Sequence, residues 1–136
     1  MTFNFIEHFD LENALKLCKL CYTRLSKGGV LILFTPNATT PLAIHSIYDD
    51  LTHRIGAFTE TSIVQLLNLA GFNRIIVCNV KPFGRYDHRI AKKVLKIIEA
   101  IVVYITWQLI RLMYLLNGVK ALRIVSNDLL AIGYKD

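Results

Sequence analysis

Apolar and polar residues follow one another along the chain with two different periods, and these periods predict the order of strands and helices. Two runs without polar alternation, VLILF at 30–34 and RIIVCNV at 74–80, are typical of strands that are covered on both faces. An apolar stretch at 2–6 predicts the end of a strand, and the carboxyl-terminal LRIVSNDLLAIGYK predicts a final strand or hairpin with a break near 126–128. The helical period predicts three helices, over residues 11–25, 60–70 and 89–116. The order strand, helix, strand, helix, strand, long helix, strand predicts an α/β sheet.

Residues that start or stop regular structure stand at these predicted boundaries. Asp10 and Thr59 precede the first two helices, where a side-chain oxygen can accept a hydrogen bond from the first turn. Gly71 follows the second helix and suits the left-handed conformation that ends many helices. Pro36 ends the VLILF strand because proline cannot donate to a ladder. The pair Gly28-Gly29 precedes that strand, whereas a phosphate-binding loop follows one, so the sequence carries no Gly-rich loop of the nucleotide-binding kind.

Size, composition and cysteine content limit the class of protein. At 136 residues the chain is one domain at most, and its hydrophobic fraction of 54% argues against disorder. The excess of basic residues, 16 Lys and Arg against 10 Asp and Glu, favours anionic partners such as membrane surfaces, phosphates or nucleic acid. Three cysteines in a sequence without a secretion signal indicate a reducing compartment, and therefore a cytoplasmic protein.

The spacing Cys18-Lys19-Leu20-Cys21 is that of a C-x-x-C motif. Zinc or redox chemistry at such a motif needs a second ligand pair, or a helix N-terminus that lowers a thiol pKa. Both cysteines lie on the apolar stripe in the second half of the first predicted helix, and the sequence has no second pair. We therefore interpret them as small buried apolar residues.

A run of basic residues precedes the longest apolar segment of the chain. The run comprises Lys81, Arg85, Arg89, Lys92, Lys93 and Lys96, with Asp87 as its one acidic residue. The following segment, IIEAIVVYITWQLIRLMYLL, has almost the length of a transmembrane helix, but it carries Glu99, Gln108 and Arg111. The pattern favours a packed helix with one polar edge over an interfacial helix that the basic run docks on anionic lipid. Nucleic-acid binding is not expected, because the basic residues lack interleaved aromatic residues and no known module is present.

Titratable residues gather in two places that follow predicted strands. Glu7 and His8 come just after the first strand, where His8 could act as a general base or could help to begin the next helix. Asp49, Asp50 and His53 lie in the long connection after the VLILF strand, and such connections often carry function in open α/β sheets. An Asp and His set could relay protons or bind a metal, although any solvated loop collects such residues.

Three stretches of the sequence resemble class I S-adenosylmethionine (SAM) dependent methyltransferases. They are FIEHF, LCKLCYTRLSKGGVLILFTPN and YDDLTHRIGAFTETSIVQLLNLAGF, and together they cover residues 3 to about 80. The resemblance is to the carboxyl-terminal half of that family's domain, beginning near the end of its fourth strand. It implies a partial Rossmann-like sheet with flanking helices, an antiparallel last strand and one long apolar helix.

The resemblance also divides the chain and sets an expectation about its activity. Residues 1–80 match best, 81–117 hold the basic segment and the long helix, and 118–136 hold the terminal strand of a single partial domain. The Gly-rich loop and the acidic residue that bind SAM in the family belong to the half that is not represented here. The chain alone is therefore expected not to bind SAM, and the exposed edge of its sheet is expected to favour self-association.

Site residues follow from the resemblance position by position. It implies methyl transfer to an oxygen or nitrogen of a small-molecule or saccharide acceptor, with His8 or His53 as the base. It places Phe5 on the SAM side and an acceptor pocket at Glu7, Thr35, Pro36, Asn37 and Asp50. Some members bind a metal through E-x-x-E-H, but Asn4 stands where the first Glu would be, so no metal is expected. The expected location is the cytoplasm, with contact to the inner face of the membrane as a further hypothesis.

Overall fold

Local sequence signals set the bounds of the elements in the computed structural model, which describes residues 2–40, 47–49, 51, 55–80, 90–118, 123–124 and 126–136. The strands are β1 (Thr2–Phe3), β2 (Val30–Pro36), β3 (Arg74–Asn79) and β4 (Asp128–Tyr134). The helices are α1 (Leu11–Arg24), α2 (Glu60–Ala70) and α3 (Ile90–Leu116), and a short 3-10 turn spans Ile6–His8. The predicted order of strands and helices is confirmed.

The predicted helix ends are confirmed by their hydrogen bonds. The Asp10 carboxylate accepts from the Asn13 N–H at 2.7 Å, and Thr59 forms a reciprocal capping box with Ser62 at the start of α2. Gly71 ends α2 with φ at 111°, a left-handed conformation that costs glycine little. The starts of α1 and α2 are thus each set by a side-chain contact within three residues of sequence.

The first strand is shorter than the sequence predicts. The segment 2–6 was expected to be extended, but β1 ends at Phe3 and the chain turns at Asn4, whose φ is 44°. Asparagine tolerates this left-handed conformation better than most residues, and its N–H still donates to the Phe34 carbonyl at 3.0 Å. The residues after Asn4 therefore form a turn above the end of the sheet and do not extend the strand.

The four strands form one sheet in the order β1-β2-β4-β3. β1 runs parallel to β2, and β4 runs antiparallel to both of its neighbours. In register, Ala131 of β4 stands between Leu33 of β2 and Val77 of β3. The antiparallel last strand that the resemblance implied is confirmed.

One face of this sheet is buried and the other is partly exposed. The register row formed by Leu33, Ala131 and Val77 is buried, and α2 packs on β3 and β4 while α1 packs on α2. Phe72, which follows α2, is wholly buried, and its ring lies so close to Gly133 that a Cβ there would come within 2.9 Å of it. On the opposite face, Ile76 of β3 is 44% exposed. The expectation that both faces of the strands are fully covered is therefore wrong for the described part of the chain.

The chain divides into two compact units. The sheet unit comprises residues 1–81 and 126–136, and the helix unit comprises residues 82–125, which include α3. The helix unit is thus an insertion between the antiparallel neighbours β3 and β4. At the base of the insertion the Val80 N–H donates to the Ser126 hydroxyl at 3.2 Å, and the Ser126 N–H donates to Asn79 Oδ1 at 3.3 Å.

The long helix α3 exposes most of its apolar side chains. The segment Val94–Leu116 has 23 residues and a mean hydropathy of 1.5, and only 6% of its most apolar window is buried. By length and composition alone it could cross a membrane. The sequence favoured a helix packed within the protein, whereas most of the described apolar side chains of α3 are exposed.

Candidate functional site

The candidate site lies at the edge of the sheet where β1 and β2 end. The two strands are parallel, with Phe3 opposite Phe34, so the segments that follow them emerge at the same edge. Those segments are the Ile6–His8 turn and the Thr35-Pro36-Asn37 exit of β2. In open α/β sheets, ligands bind outside the carboxyl ends of the strands, so this edge is where chemistry is expected.

A buried carboxylate, Glu7, is the central feature of this edge. Glu7 is 1% exposed, and its Oε2 accepts a hydrogen bond from the Thr35 hydroxyl at 3.3 Å. Its other oxygen, Oε1, is buried and has no hydrogen-bond partner among the described residues. Because a buried polar atom without a partner is costly, such an atom at a strand terminus is a candidate contact for a ligand. A carboxylate here can accept a hydrogen bond, or a proton, from a hydroxyl or amine.

The loop that returns to this edge packs closely on Glu7. Gly56 is buried, and a Cβ at that position would lie 2.5 Å from the Glu7 carbonyl oxygen. Two residues later, the Phe58 carbonyl accepts from the Ala38 N–H at 2.9 Å. Glycine is therefore required by the close approach of two backbone segments, and this approach helps to bury Glu7.

Asn37 connects the exit of β2 to the start of β4. Its N–H donates to the Asn127 carbonyl at 2.7 Å, and its Nδ2 donates to the Ser126 carbonyl at 2.9 Å. Its Oδ1 accepts from the N–H of Thr39 at 3.1 Å and from the hydroxyl of Thr39 at 2.6 Å. Wholly buried, Asn37 holds the wall of the candidate site in place through these bonds.

The structure brings together only some of the predicted site residues. Glu7, Thr35 and Asn37 are buried at one edge, and Pro36 between them is half-buried. His8 is exposed although its neighbour Glu7 is buried, so the two side chains lie in different environments. Phe5, which was expected on the SAM side, is 45% exposed and forms an edge-to-face contact with Phe9 at 4.9 Å.

Two predicted site residues, Asp50 and His53, lie outside the described residues. Conversely, the sequence did not single out Gly56 or Thr40, which is buried and whose hydroxyl donates to the Asn37 carbonyl. No sequence motif marks a lone glycine or threonine in a long connection as important. The residue that it contacts is distant in sequence and comes near only in the folded chain. Glu7 was singled out because it follows the first predicted strand, although in the structure that strand ends earlier, at Phe3.

The two cysteines of the C-x-x-C motif lie in the second half of α1. Cys18 is wholly buried in α1, and burial, with a smaller contribution from Cys21, raises the pKa of its thiol to about 12. A thiol with so high a pKa keeps its proton at neutral pH and is therefore a poor nucleophile. Among the described residues, no group of three or more His, Cys, Asp or Glu side chains could hold a metal ion.

The residues of this edge do not by themselves fit SAM. The sequence has no Gly-rich loop after a strand to approach the cofactor closely. At the described edge, the expected SAM contact Phe5 packs against Phe9, and the polar groups of Asn37 are bonded within the protein. Glu7 Oε1 is thus the one buried polar side-chain atom of the described part of the edge that remains without a partner.

Comparison with known proteins places this fold. No family model matches the chain, and no curated protein matches it. Among solved structures, the chain is similar to a SAM-dependent methyltransferase from Archaeoglobus fulgidus, with a TM-score of 0.61 and 19% sequence identity. The fold is methyltransferase-like. The likeness covers 99% of this chain but 57% of the Archaeoglobus chain, so this methyltransferase-like fold spans little more than half the length of that protein.

Proposed function

We propose that the chain is the acceptor-side part of a SAM-dependent methyltransferase that modifies an oxygen or nitrogen of a small-molecule or saccharide acceptor. The observation that carries the proposal is the buried carboxylate of Glu7, with an unpartnered oxygen among the described residues, at the carboxyl edge of a methyltransferase-like sheet. The donor-binding part would be supplied by residues outside these 136, because no Gly-rich loop is present in the sequence.

The partly exposed face of the sheet supports this proposal. A doubly wound sheet carries helices on both faces, whereas in the sheet unit the described helices α1 and α2 leave Ile76 44% exposed on the other face. The register row that contains Ile76 also contains Ile32 and Ile132, which are only half-buried. A further layer of helices from a donor-binding part would cover this apolar row.

Within the proposed function, the described residues would bind and orient the acceptor. Glu7 Oε1 would accept a hydrogen bond from the acceptor hydroxyl or amine, while the Thr35 hydroxyl holds the carboxylate in place from the other side. Asn37 would keep the exit of β2 in position through its bonds to Ser126 and Asn127. His8 and His53 remain candidates for the base that removes the acceptor proton.

Reading the DNA upstream of Met1 and extending the chain test the proposal. We expect an in-frame segment that encodes a strand, a Gly-rich loop and a helix, and we expect the extended chain to bind SAM with micromolar affinity in calorimetry. The 136-residue chain alone should give no measurable heat with SAM. Clear micromolar binding by the 136-residue chain, or an extended chain that folds without binding SAM, would contradict the proposal.

The acceptor side is tested in the extended chain with labelled SAM and mixed small-molecule and saccharide acceptors. Glu7→Gln is expected to lower methyl transfer while SAM binding is kept, and Glu12→Gln on the exposed face of α1 serves as its matched control. His8→Ala and His53→Ala test the base, since unchanged turnover in both variants would remove both histidines from that role.

A further inference from the structure

The helix α3 presents an exposed and largely aliphatic face, on which Gln108 is the polar residue. The face comprises residues at helical spacing along one side of the helix, namely Val94, Ile98, Ile101, Ile105, Leu109, Leu112 and Leu116. Each of them is between 51% and 77% exposed. Soluble proteins seldom expose an apolar surface of this extent unless it binds something, because its contact with water is unfavourable.

The opposite side of α3 is more buried than the aliphatic face. Val103, Trp107, Ile110 and Tyr114 recur there at the same helical spacing, and all four are half-buried or buried, with Trp107 only 7% exposed. The basic residues Lys96 and Arg111 also lie away from the aliphatic face by this spacing. Because this side is already packed, the exposed aliphatic face is the side of the helix that remains open to a partner.

Charge identifies the partner of the aliphatic face. The sequence from 81 to 116 carries Lys81, Arg85, Arg89, Lys92, Lys93, Lys96 and Arg111, against Asp87 and Glu99. A second copy of the chain would bring two such basic segments together, in a protein whose net charge is already +6. An anionic lipid surface has the opposite sign, so each basic residue near it strengthens binding.

We propose that α3 lies in the plane of an anionic lipid bilayer, with its aliphatic face in the boundary between headgroups and acyl chains. The basic residues near its start then meet lipid phosphates, and Trp107 stays on the packed side of the helix, above the acyl chains. The helix unit is an insertion between β3 and β4, so it docks the sheet unit on the membrane without interrupting the pairing of those strands. This inference does not depend on the proposed methyltransferase activity.

Vesicle co-sedimentation of the full chain tests the inference with two pairs of variants. Ile101→Asn with Ile105→Asn changes two side chains that are each 52% exposed, so folding should be kept, and Ile101→Val with Ile105→Val is the matched control. Lys92→Glu, Lys93→Glu and Lys96→Glu together reverse the charge next to the helix. The same charge change at the exposed residues Lys19, Arg24 and Lys27 of the sheet unit is its control.

We expect the chain to bind vesicles that contain phosphatidylglycerol and to bind pure phosphatidylcholine weakly. Both test variants should lose at least about tenfold in binding, and added salt should weaken the binding of the unmodified chain. Both control variants should bind like the unmodified chain. Absence of binding to anionic vesicles, or equal losses in test and control variants, would overturn the inference.

The single tryptophan of the chain distinguishes an in-plane helix from a spanning one. Trp107 lies near the middle of Val94–Leu116, so a spanning helix would place it near the bilayer centre. We expect lipids brominated close to the headgroup to quench its fluorescence most, and alkaline carbonate to release the protein from vesicles. If bromine deep in the acyl chains quenches Trp107 most, or if the protein stays with the vesicles in carbonate, the helix spans the bilayer and the in-plane orientation is wrong.

Discussion

The hydroxyl of Thr35 donates a hydrogen bond of 3.3 Å to the carboxylate of Glu7, across 28 residues of sequence, and both side chains are almost wholly buried. This distance is longer than that of most bonds between a hydroxyl and a carboxylate, so the bond only partly offsets the burial of the charge. A polar pair of this kind links the turn after β1 to the end of β2. It is unfavourable for folding unless the second carboxylate oxygen finds a partner, as it would in a complex with a ligand.

Replacement of Glu7 by glutamine is expected to raise the free energy of unfolding by about 1 kcal/mol, because the neutral amide is easier to bury than a carboxylate with one bonded oxygen. Urea unfolding followed by circular dichroism measures the change. Glu12→Gln, at an exposed residue paired with Lys16 at 2.6 Å, should change stability by less than about 0.5 kcal/mol. If Glu7→Gln destabilises the protein by more than the control, the carboxylate has a stronger partner than Thr35.

Replacement of Asn37 by alanine is expected to destabilise the protein by about 2–3 kcal/mol. The substitution removes the bond from Nδ2 to the Ser126 carbonyl and the two bonds that Oδ1 accepts from Thr39, and each is worth about 1 kcal/mol. Thermal or urea unfolding measures the loss. Asn117→Ala is the matched control, because Asn117 is exposed and its Nδ2 donates to the nearby Met113 carbonyl at 2.8 Å. Equal effects of the two substitutions would show that Asn37 does not hold the β2 exit.

Replacement of Gly56 by alanine is expected to cost about 1–3 kcal/mol through overpacking. The new methyl group would meet the carbonyl carbon and Cα of Glu7 at 2.7 Å, and backbone atoms cannot move aside as a side chain can. Gly28→Ala is a useful comparison, since its φ of 78° disfavours alanine although nothing lies within 4 Å of the new group. Unfolding midpoints of the two variants separate steric crowding from backbone strain, and a neutral Gly56→Ala would show that the loop is not tightly packed on Glu7.

The two cysteines of the C-x-x-C motif are expected to react at very different rates with a thiol reagent. Cys18 is wholly buried and its pKa is raised to about 12, whereas Cys21 is only half-buried. At slightly alkaline pH, peptide mapping after labelling should therefore find Cys21 modified well before Cys18, and both modified at once in denaturant. Faster labelling of Cys18 would contradict its burial in α1.

Stability is expected to fall as the pH rises through the titration range of Asp128. Burial raises the pKa of this carboxyl, so the folded state binds its proton more tightly than the unfolded state does. The stabilising effect is present in full below the unfolded pKa and is lost as the pH rises through the folded pKa. Asp128→Asn should remove this part of the pH dependence, as measured by unfolding midpoints in mildly acidic buffers. An unchanged pH profile in Asp128→Asn would show that other groups account for it.

The sequence predicted the elements well because their signals are local. Asp10, Thr59 and Gly71 act within a turn of their own helix, and all three have the predicted role. The end of β1 was predicted less well, since nothing next to Asn4 indicates that the chain turns there. Asn4 adopts its left-handed conformation while its N–H donates to Phe34, a residue 30 positions away.

The candidate site was only partly predictable, because it too depends on contacts between residues that are far apart in sequence. The family resemblance was enough to select Glu7 and Thr35, but not to show that they contact each other or that His8 is exposed. Gly56 carries no motif, and its importance comes from the 2.5 Å approach to the Glu7 carbonyl. Long-range contacts of this kind depend on how the loops return to the sheet edge, and local patterns contain no information about that.

The sequence by itself determined the alternation of strands and helices, the caps, the basic run and the apolar length of α3, because each depends on residue type and short spacing. The tertiary structure alone decided three other features. It buried one face of the sheet and left Ile76 exposed on the other, it enclosed the Glu7 carboxylate, and it left the aliphatic face of α3 exposed to solvent. The burial of a residue depends on which other parts of the chain pack against it. An apolar pattern shows that a face tends to be covered, but it does not show which surface covers it.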